Sequence, residues 1–267
     1  MGETLLDSLL DLSFPSAPGA IPAPFSAPGA IPAPFSAPGA IPAPFSAPAI
    51  SEVLISLGRS LNPRWRQCYG PVAPTVAPDR EHAALRLGIM TAELMLAAQA
   101  RDDVQASQRL SDTAAVEKLL GISTATRPRH LLLHALGEAG EWETFRRSIE
   151  ALNEEQRLAL EAQRDPDLAR LLPVASWLRI MEVEAILLAA RSAPTLEPVG
   201  LHPHIVSWVE NELSNLSDHV RTKRSVARCL QVTQRLSRLL QQPPTEAGRR
   251  EMLADTLQSA MTRLLTP

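Results

Sequence analysis

Tyrosine and lysine are nearly absent from this 267-residue chain, and cysteine is rare. Tyr69 is the only tyrosine, and Lys118 and Lys223 are the only lysines, so arginine carries almost all of the positive charge. The two cysteines, Cys68 and Cys229, lie far apart, without the close spacing of a zinc or redox motif. This scarcity excludes a disulfide-rich scaffold. We expect each cysteine to be a lone buried thiol, because free cysteine packs like a small apolar residue.

The chain also lacks the short motifs of common enzyme chemistries. It has no GxxxxGK[ST] phosphate loop, no GxGxxG dinucleotide signature and no GxSxG nucleophile elbow. Its longest apolar stretches contain glutamates and fall short of the ~20 residues that a bilayer helix needs. The sequence therefore predicts a protein that is not an enzyme, needs no cofactor and has no membrane span.

The N-terminus does not have the pattern of a signal peptide. No basic residue precedes its apolar residues, and Asp7 and Asp11 interrupt them. As written, the chain predicts a cytoplasmic protein by default. A start codon further upstream would instead make it an exported or periplasmic protein. The abundance of Ala, Leu, Arg and Pro fits a GC-rich bacterial genome.

Three identical decapeptides, SAPGAIPAPF, follow one another between Ser16 and Phe45. Each proline fixes its own φ and keeps the preceding residue out of the helical region, which excludes a helix. Residues 15–48 are therefore predicted to be a disordered linker that samples polyproline II and acts as a spacer. An alternative interpretation is a ligand array for a proline-binding groove, with the phenylalanine of each repeat as its anchor.

A short leucine-rich segment, residues 1–14, precedes the repeats. Leu5 and Leu9 share one helical face with two further leucines, while Glu3, Asp7 and Asp11 form a stripe on another face. Two interpretations stay open. The segment is either a short amphipathic docking peptide or a disordered start, because a helix this short is marginal alone in water.

Residues 49–267 have helical periodicity throughout and are predicted to form one all-α domain. It would be a bundle of about eight helices in antiparallel hairpins. The segment after Asp79 is apolar on most sides, which predicts the buried central helix. The predicted helices are 50–61, 80–100, 102–120, a short helix opened by Thr126 and Pro128 and ending near Gly137, one after Glu141, 166 to about 191, one or two between 204 and 242, and a last helix capped by Thr245 and ending at Leu265.

The strongest charge pattern lies near the C-terminus. Residues 221–250 hold eight basic side chains and one acid, Glu246, although acids and bases balance over residues 49–267. We predict a partner-binding face that meets an acidic protein segment, such as the acidic stripe of residues 1–14. A purely solvated face is the alternative, and the lack of interleaved aromatics argues against nucleic acid. The spacings of 3, 4 and 7 place four arginines on one side of a helix: Arg221, Arg224, Arg228 and Arg235.

Two histidine pairs are weak candidates for a metal site. His130 and His134 are four residues apart in HLLLH, and Glu138 follows at the same spacing, so one helix face offers three ligands. Residue 131 is leucine, however, so the HExxH glutamate is absent and packing is the favoured interpretation. His202 and His204 flank a proline, where a loop role suffices. No metal is predicted.

Glu93 and Glu182 interrupt apolar helices. A buried carboxylate needs a partner or a raised pKa, and Arg86 and Arg179 are the nearest candidate partners. We expect a paired structural role rather than acid–base catalysis.

Three functions follow from these patterns. The favoured one is a non-enzymatic interaction or scaffold module whose arm sets its reach. The alternative is an exported or envelope-associated structural protein whose signal peptide is missing from this start. The third is a helical metal-binding protein or enzyme that uses His130 and His134.

Overall fold

The structure is a computed structural model that describes residues 48–70, 77, 79–190, 200–241 and 246–265. This part of the chain forms ten α-helices and one 3₁₀ helix, with no strand in it, which confirms the all-α prediction. The described helices belong to a compact unit that runs from Ser46 to Pro267. The predictions for the N-terminal segment and for the repeats lie outside the described residues.

The helices are numbered here in chain order. A 3₁₀ helix, Trp65–Cys68, lies between the first two. The α-helices are α1 (Ile50–Leu61), α2 (Arg80–Ala100), α3 (Asp103–Leu120), α4 (Ser123–Ala139), α5 (Trp142–Ala162), α6 (Pro166–Ala189), α7 (Pro203–Ser214), α8 (Asp218–Arg221), α9 (Arg224–Gln241) and α10 (Glu246–Leu265).

Helices α2 and α6 form the centre of the domain and make its most extensive helix–helix contact. Every residue of α2 from Glu81 to Ala98 is buried, which confirms the prediction of a buried central helix that is apolar on most sides. Of the described helices, only α2 has both the length and the mean hydropathy, 1.2, of a membrane-crossing segment, and 89% of that stretch is buried inside the domain. A buried core helix meets the same two criteria.

The close crossing of α2 and α6 depends on Gly88. A Cβ atom at this position would lie 2.2 Å from the backbone oxygen of Leu172 and 2.9 Å from Cβ of Ala175. Ser176 Oγ donates a hydrogen bond to the Gly88 carbonyl at 2.7 Å, so the two backbones are joined as well as packed. No larger residue than glycine fits without moving one helix away from the other.

The remaining helices surround this pair. Helices α1, α3 and α5 pack against α2, while α5, α7 and α10 pack against α6. Helix α4 packs on α3 and α5, and α9 packs on α7 and α10. Helices α4 and α9 therefore lie in the outer layer, where each keeps one face towards solvent.

Several helix ends follow directly from local sequence. The carboxylate of Asp79 accepts a hydrogen bond from the amide of His82 at 2.7 Å, and that of Asp102 accepts from Gln105 at 3.2 Å. Both are N-cap contacts. Gly121 ends α3 with φ of +77°, a left-handed conformation that favours glycine.

Two predicted boundaries are wrong. Helix α4 begins at Ser123, before the predicted start at Thr126 and Pro128, because Ile122 is buried and Thr126 Oγ1 donates to Glu117 Oε2 at 2.6 Å. These tertiary contacts stabilise an additional first turn, and Pro128 lies within the helix.

The region predicted as one or two helices between His204 and Gln242 forms three: α7, the single-turn α8, and α9. The chain turns after α7 because Leu216 inserts into the core, where it is 4% exposed. The next amide, that of Ser217, donates to the carboxylate of Asp167 on α6 at 3.3 Å. This tertiary anchor acts together with Asn215, Ser217 and Asp218, which disfavour a helix interior.

The Gly88 contact predicts a strong dependence on side-chain size. We expect Gly88→Ala to lower the free energy of unfolding by about 1–3 kcal/mol or more, because the methyl group forces α2 and α6 apart. Chemical denaturation measures the change. The matched control is Gly248→Ala in α10, where nothing lies within 4 Å of an added Cβ. That control should be neutral or stabilising by up to about 1 kcal/mol. Equal losses in both variants would contradict the close-contact account.

His82 predicts an acid sensitivity of the fold. Burial, with the charges of Arg86 and Arg228 nearby, lowers its pKa, and the Asp79 carboxylate opposes this shift. The folded state therefore favours neutral His82, while the unfolded chain takes up a proton below its ordinary pKa of about 6.5.

Neutral His82 contributes to the free energy of unfolding above pH ~6.5, and this contribution is lost as the pH falls below that value. Between pH 7 and pH 5, we expect the free energy of unfolding to fall more for the wild type than for His82→Gln. The measurement is urea denaturation of both proteins at each pH. A difference that stays constant with pH would contradict this role.

Candidate protein-binding face

Helix α9 presents an arginine face to solvent. Arg224, Arg228 and Arg235 are separated by four and seven residues and so share one side of the helix, with Arg238 beside them. The opposite side carries Val226, Cys229, Thr233 and Leu236, all of which are buried. We call Arg224, Arg228, Arg235 and Arg238 the arginine face.

The arginine face has no carboxylate to neutralise it within the described residues. Helix α9 contains no acid, and none of its four arginines lies within 4.0 Å of an Asp or Glu oxygen of the described part. Arg157 on α5 shows the contrast, because it contacts both Glu154 and Glu161 on its own helix. The arginines of α9 thus form no ion pair with the carboxylates that the structure describes, and Arg224, Arg235 and Arg238 are exposed.

A groove of about 320 Å³ runs between α9 and α10 beside the arginine face. Its apolar lining comes from Val232, Met252 and Ala260, and Met252 is 45% exposed. Two arginines flank it, Arg235 from α9 and Arg263 from α10. The groove thus combines apolar contact area with positive charge, and its one lining acid is Asp255.

The predicted stripe of four arginines is corrected at one position. Arg221 lies on the separate helix α8, where it contacts Asp218 and donates to the Ser214 carbonyl at 3.0 Å. The chain turns between α8 and α9, so Arg221 is not part of the continuous face. Sequence reasoning missed Arg263, because its place beside Arg235 depends on how α9 and α10 pack; the Arg263 carbonyl accepts from Arg228 Nη1 at 3.3 Å.

A buried ionic cluster lies between the two central helices, about one helical turn beyond the Gly88 contact. Glu93 of α2 accepts from Arg179 Nε of α6 at 2.6 Å, and Arg179 also contacts Glu182 one turn along its own helix. Arg109 of α3 approaches the second Glu93 oxygen at 3.4 Å. Burial raises the pKa of Glu182, while the Arg179 charge opposes the shift.

The cluster also holds the segment that follows the 3₁₀ helix. Arg179 donates to the Cys68 carbonyl, Gly70 N donates to Glu93 at 3.0 Å, and Arg109 donates to the Gly70 carbonyl at 3.2 Å. The paired role predicted for Glu93 and Glu182 is what the geometry shows, with Arg179 as their common partner. Arg86 is not in this cluster, and the carboxylate that acts on its charge is Asp112.

His130 and His134 are not brought together as a metal site. His130 is buried, with Nε2 2.9 Å from Glu117 Oε2, and Glu117 also accepts from Thr126 and from Gln156. His134 instead lies at the surface with Glu138, in a groove of about 610 Å³ between α3 and α4. Within the described residues, no group of three or more His, Cys, Asp or Glu side chains is placed to hold a metal ion.

The other candidates have local structural roles. His202 is the N-cap of α7, where its Nδ1 accepts from the amide of His204 at 3.3 Å and the two rings stack. Cys68 and Cys229 are both buried free thiols, as predicted, and burial raises the pKa of Cys229 to about 12. Leu5 and Leu9, predicted to bind a partner, lie outside the described residues.

Comparisons with protein-family models, with curated proteins and with solved structures found no match to this chain.

The ionic cluster predicts a large cost for removing its shared cation. We expect Arg179→Met to lower the free energy of unfolding by about 3–5 kcal/mol, because it leaves the buried Glu93 carboxylate without its main partner. Thermal and chemical denaturation measure the loss. The matched control is Arg157→Met, which removes two exposed ion pairs and should cost less than about 1 kcal/mol. A loss at Arg179 no greater than that at Arg157 would contradict the account.

Proposed function

We propose that this protein is a non-enzymatic interaction module whose helical domain binds an acidic segment of a protein partner through the arginine face and the α9–α10 groove. The observation that carries the proposal is the run of four arginines on α9 without a neutralising carboxylate in the described residues. Arginines elsewhere, such as Arg80, Arg129 and Arg157, contact acids of the same domain.

The chemistry of the face favours a helical, acidic partner. Guanidinium groups recognise carboxylates with paired hydrogen bonds. The apolar lining of the groove, with exposed Met252 at its edge, suits the apolar side of an amphipathic helix. A partner helix with leucines on one side and Asp or Glu on the other matches both features.

A protein partner fits the face better than a nucleic acid does. The groove lining contains no aromatic side chain on which a base can stack. Acids and bases balance over the folded domain, so long-range attraction to a polyanion is weak. The exported structural protein and the metal-binding protein remain alternatives without an observation in the described residues that favours them.

A quantitative pull-down from nuclease-treated native lysate tests the proposal. The baits are the full-length protein, a chain that starts at Ala49, and the full-length double variant Arg224→Glu, Arg235→Glu. Both reversed side chains are exposed. We expect specific protein partners of the wild type to fall about 10-fold or more with the double variant, because reversed charges repel carboxylates.

The control carries the same charge change on other faces: Arg59→Glu, Arg147→Glu, at two exposed arginines of α1 and α5. It should retain the partners. Equal loss in both double variants would show an effect of net charge alone and would contradict a site on α9. Loss with the chain that starts at Ala49, but not with the α9 variant, would place recognition in the first 48 residues and also contradict it.

A further inference from the structure

A third, smaller pocket lies where α1 begins. It encloses about 280 Å³ between the start of α1 and helices α2, α5 and α6. Its apolar walls include Met95, Ile149, Pro173 and Trp177. Trp177 is 3% exposed and Ile149 is fully buried, so the walls are set by the core and not by mobile surface residues.

Two hydrogen-bond acceptors enter this pocket from α5. Asn153 Oδ1 is buried and has no hydrogen-bond donor among the described residues. Glu150, one turn earlier, accepts from Ser51 Oγ, and no Lys, Arg or His nitrogen of the described part lies within ion-pair distance of it. A buried acceptor without a donor is unfavourable, and a two-oxygen carboxylate can accept more than one bond.

Capping of α1 accounts for only part of this arrangement. Ala49, the N-cap of α1, provides no side-chain cap, and Glu150 brings negative charge to the positive end of that helix. This role explains why an acid lies at position 150. It explains neither the apolar space beside the acid nor the buried oxygen of Asn153.

We infer that this pocket binds a small organic ammonium ion with an aromatic or similarly flat apolar body. The ammonium group donates to Glu150 and to Asn153 Oδ1, and the apolar body packs between Trp177, Ile149 and Pro173. The Glu150 carboxylate only accepts and so selects a cation, and the Asn153 amide adds a buried acceptor oxygen. Thr91, the third polar side chain of the lining, already donates to the Leu87 carbonyl at 3.0 Å. The volume is at the lower end of ligand pockets, which limits the body to about one ring.

The pocket lies at the first residues of the helical domain. Pro48 and Ala49 line it, and they lie three and four residues after Phe45, the last residue of the decapeptide repeats. Ligand binding here is a function separate from partner binding on α9, because the two sites share no residue.

Phenethylamine is the probe that tests the site, with the full-length protein. The readouts are calorimetric titration and the indole N–H signal of Trp177 in proton–nitrogen NMR spectra, assigned through Trp177→Phe. We expect saturable 1:1 binding that shifts this signal. Ethylbenzene, which lacks the amine, and 3-phenylpropionate, which carries the opposite charge, should bind at least 10-fold more weakly.

Glu150→Gln is the central variant, because the amide oxygen still accepts from Ser51 while the negative charge is lost. It should weaken phenethylamine binding 10-fold or more, and Asn153→Leu should weaken it as well. Glu138→Gln, at an exposed acid in the α3–α4 groove, should leave it unchanged.

The inference is overturned if phenethylamine does not shift the Trp177 signal, if Glu150→Gln binds it as tightly as wild type does, or if ethylbenzene binds equally well. Equal binding of ethylbenzene would mean that the pocket is an apolar cavity that does not recognise a cation. The denaturation midpoint of each variant is measured as a control that the variant is folded when its binding is compared with that of the wild type.

Discussion

The contact between α2 and α6 at Gly88 is the constraint on which the rest of the structure depends. With no side chain at Gly88, the α6 backbone at Leu172 and Ala175 can lie directly against α2. The two helices are then close enough for Ser176 to bond the Gly88 carbonyl and for Arg179 to reach Glu93. The packing at Gly88 and the ionic pairing about one helical turn further along both follow from this close approach.

The packing of helices around α2 and α6 determines which charged side chains are neutralised inside the domain and which are not. Inside, Arg109, Arg179, Glu93 and Glu182 neutralise one another, and buried charges need such partners to be tolerated. At the surface, exposed pairs such as Arg157 with Glu154 contribute little to stability. The arginine face of α9 belongs to neither group. Because α9 packs through its apolar side, its charges need no partner inside the domain.

Sequence reasoning succeeded where the signal is local. The bounds of α1 and α2, the burial of α2 and the end of α3 at Leu120 are all readable within a few residues. Sequence reasoning failed where a feature depends on a contact between residues that are far apart in the sequence. The break after α7 depends on Leu216 entering the core and on Asp167 of another helix. The acceptors at Glu150 and Asn153 were not singled out either, because only tertiary packing places them beside Trp177. Arg179 was found as a candidate partner for Glu93, but not its contact with Cys68.

The central claim is that a rigid helical frame presents the α9 arginine face to an acidic protein segment. Site-specific photo-crosslinking in native cells tests it most directly, with benzoylphenylalanine in place of Gln231, which is exposed between the arginines. The account predicts crosslinked partner peptides with a clear excess of Asp and Glu, in greater yield than from the same probe at Gln108 in the α3–α4 groove. Crosslinks in equal yield at both positions, or peptides without an acidic excess at Gln231, would contradict it.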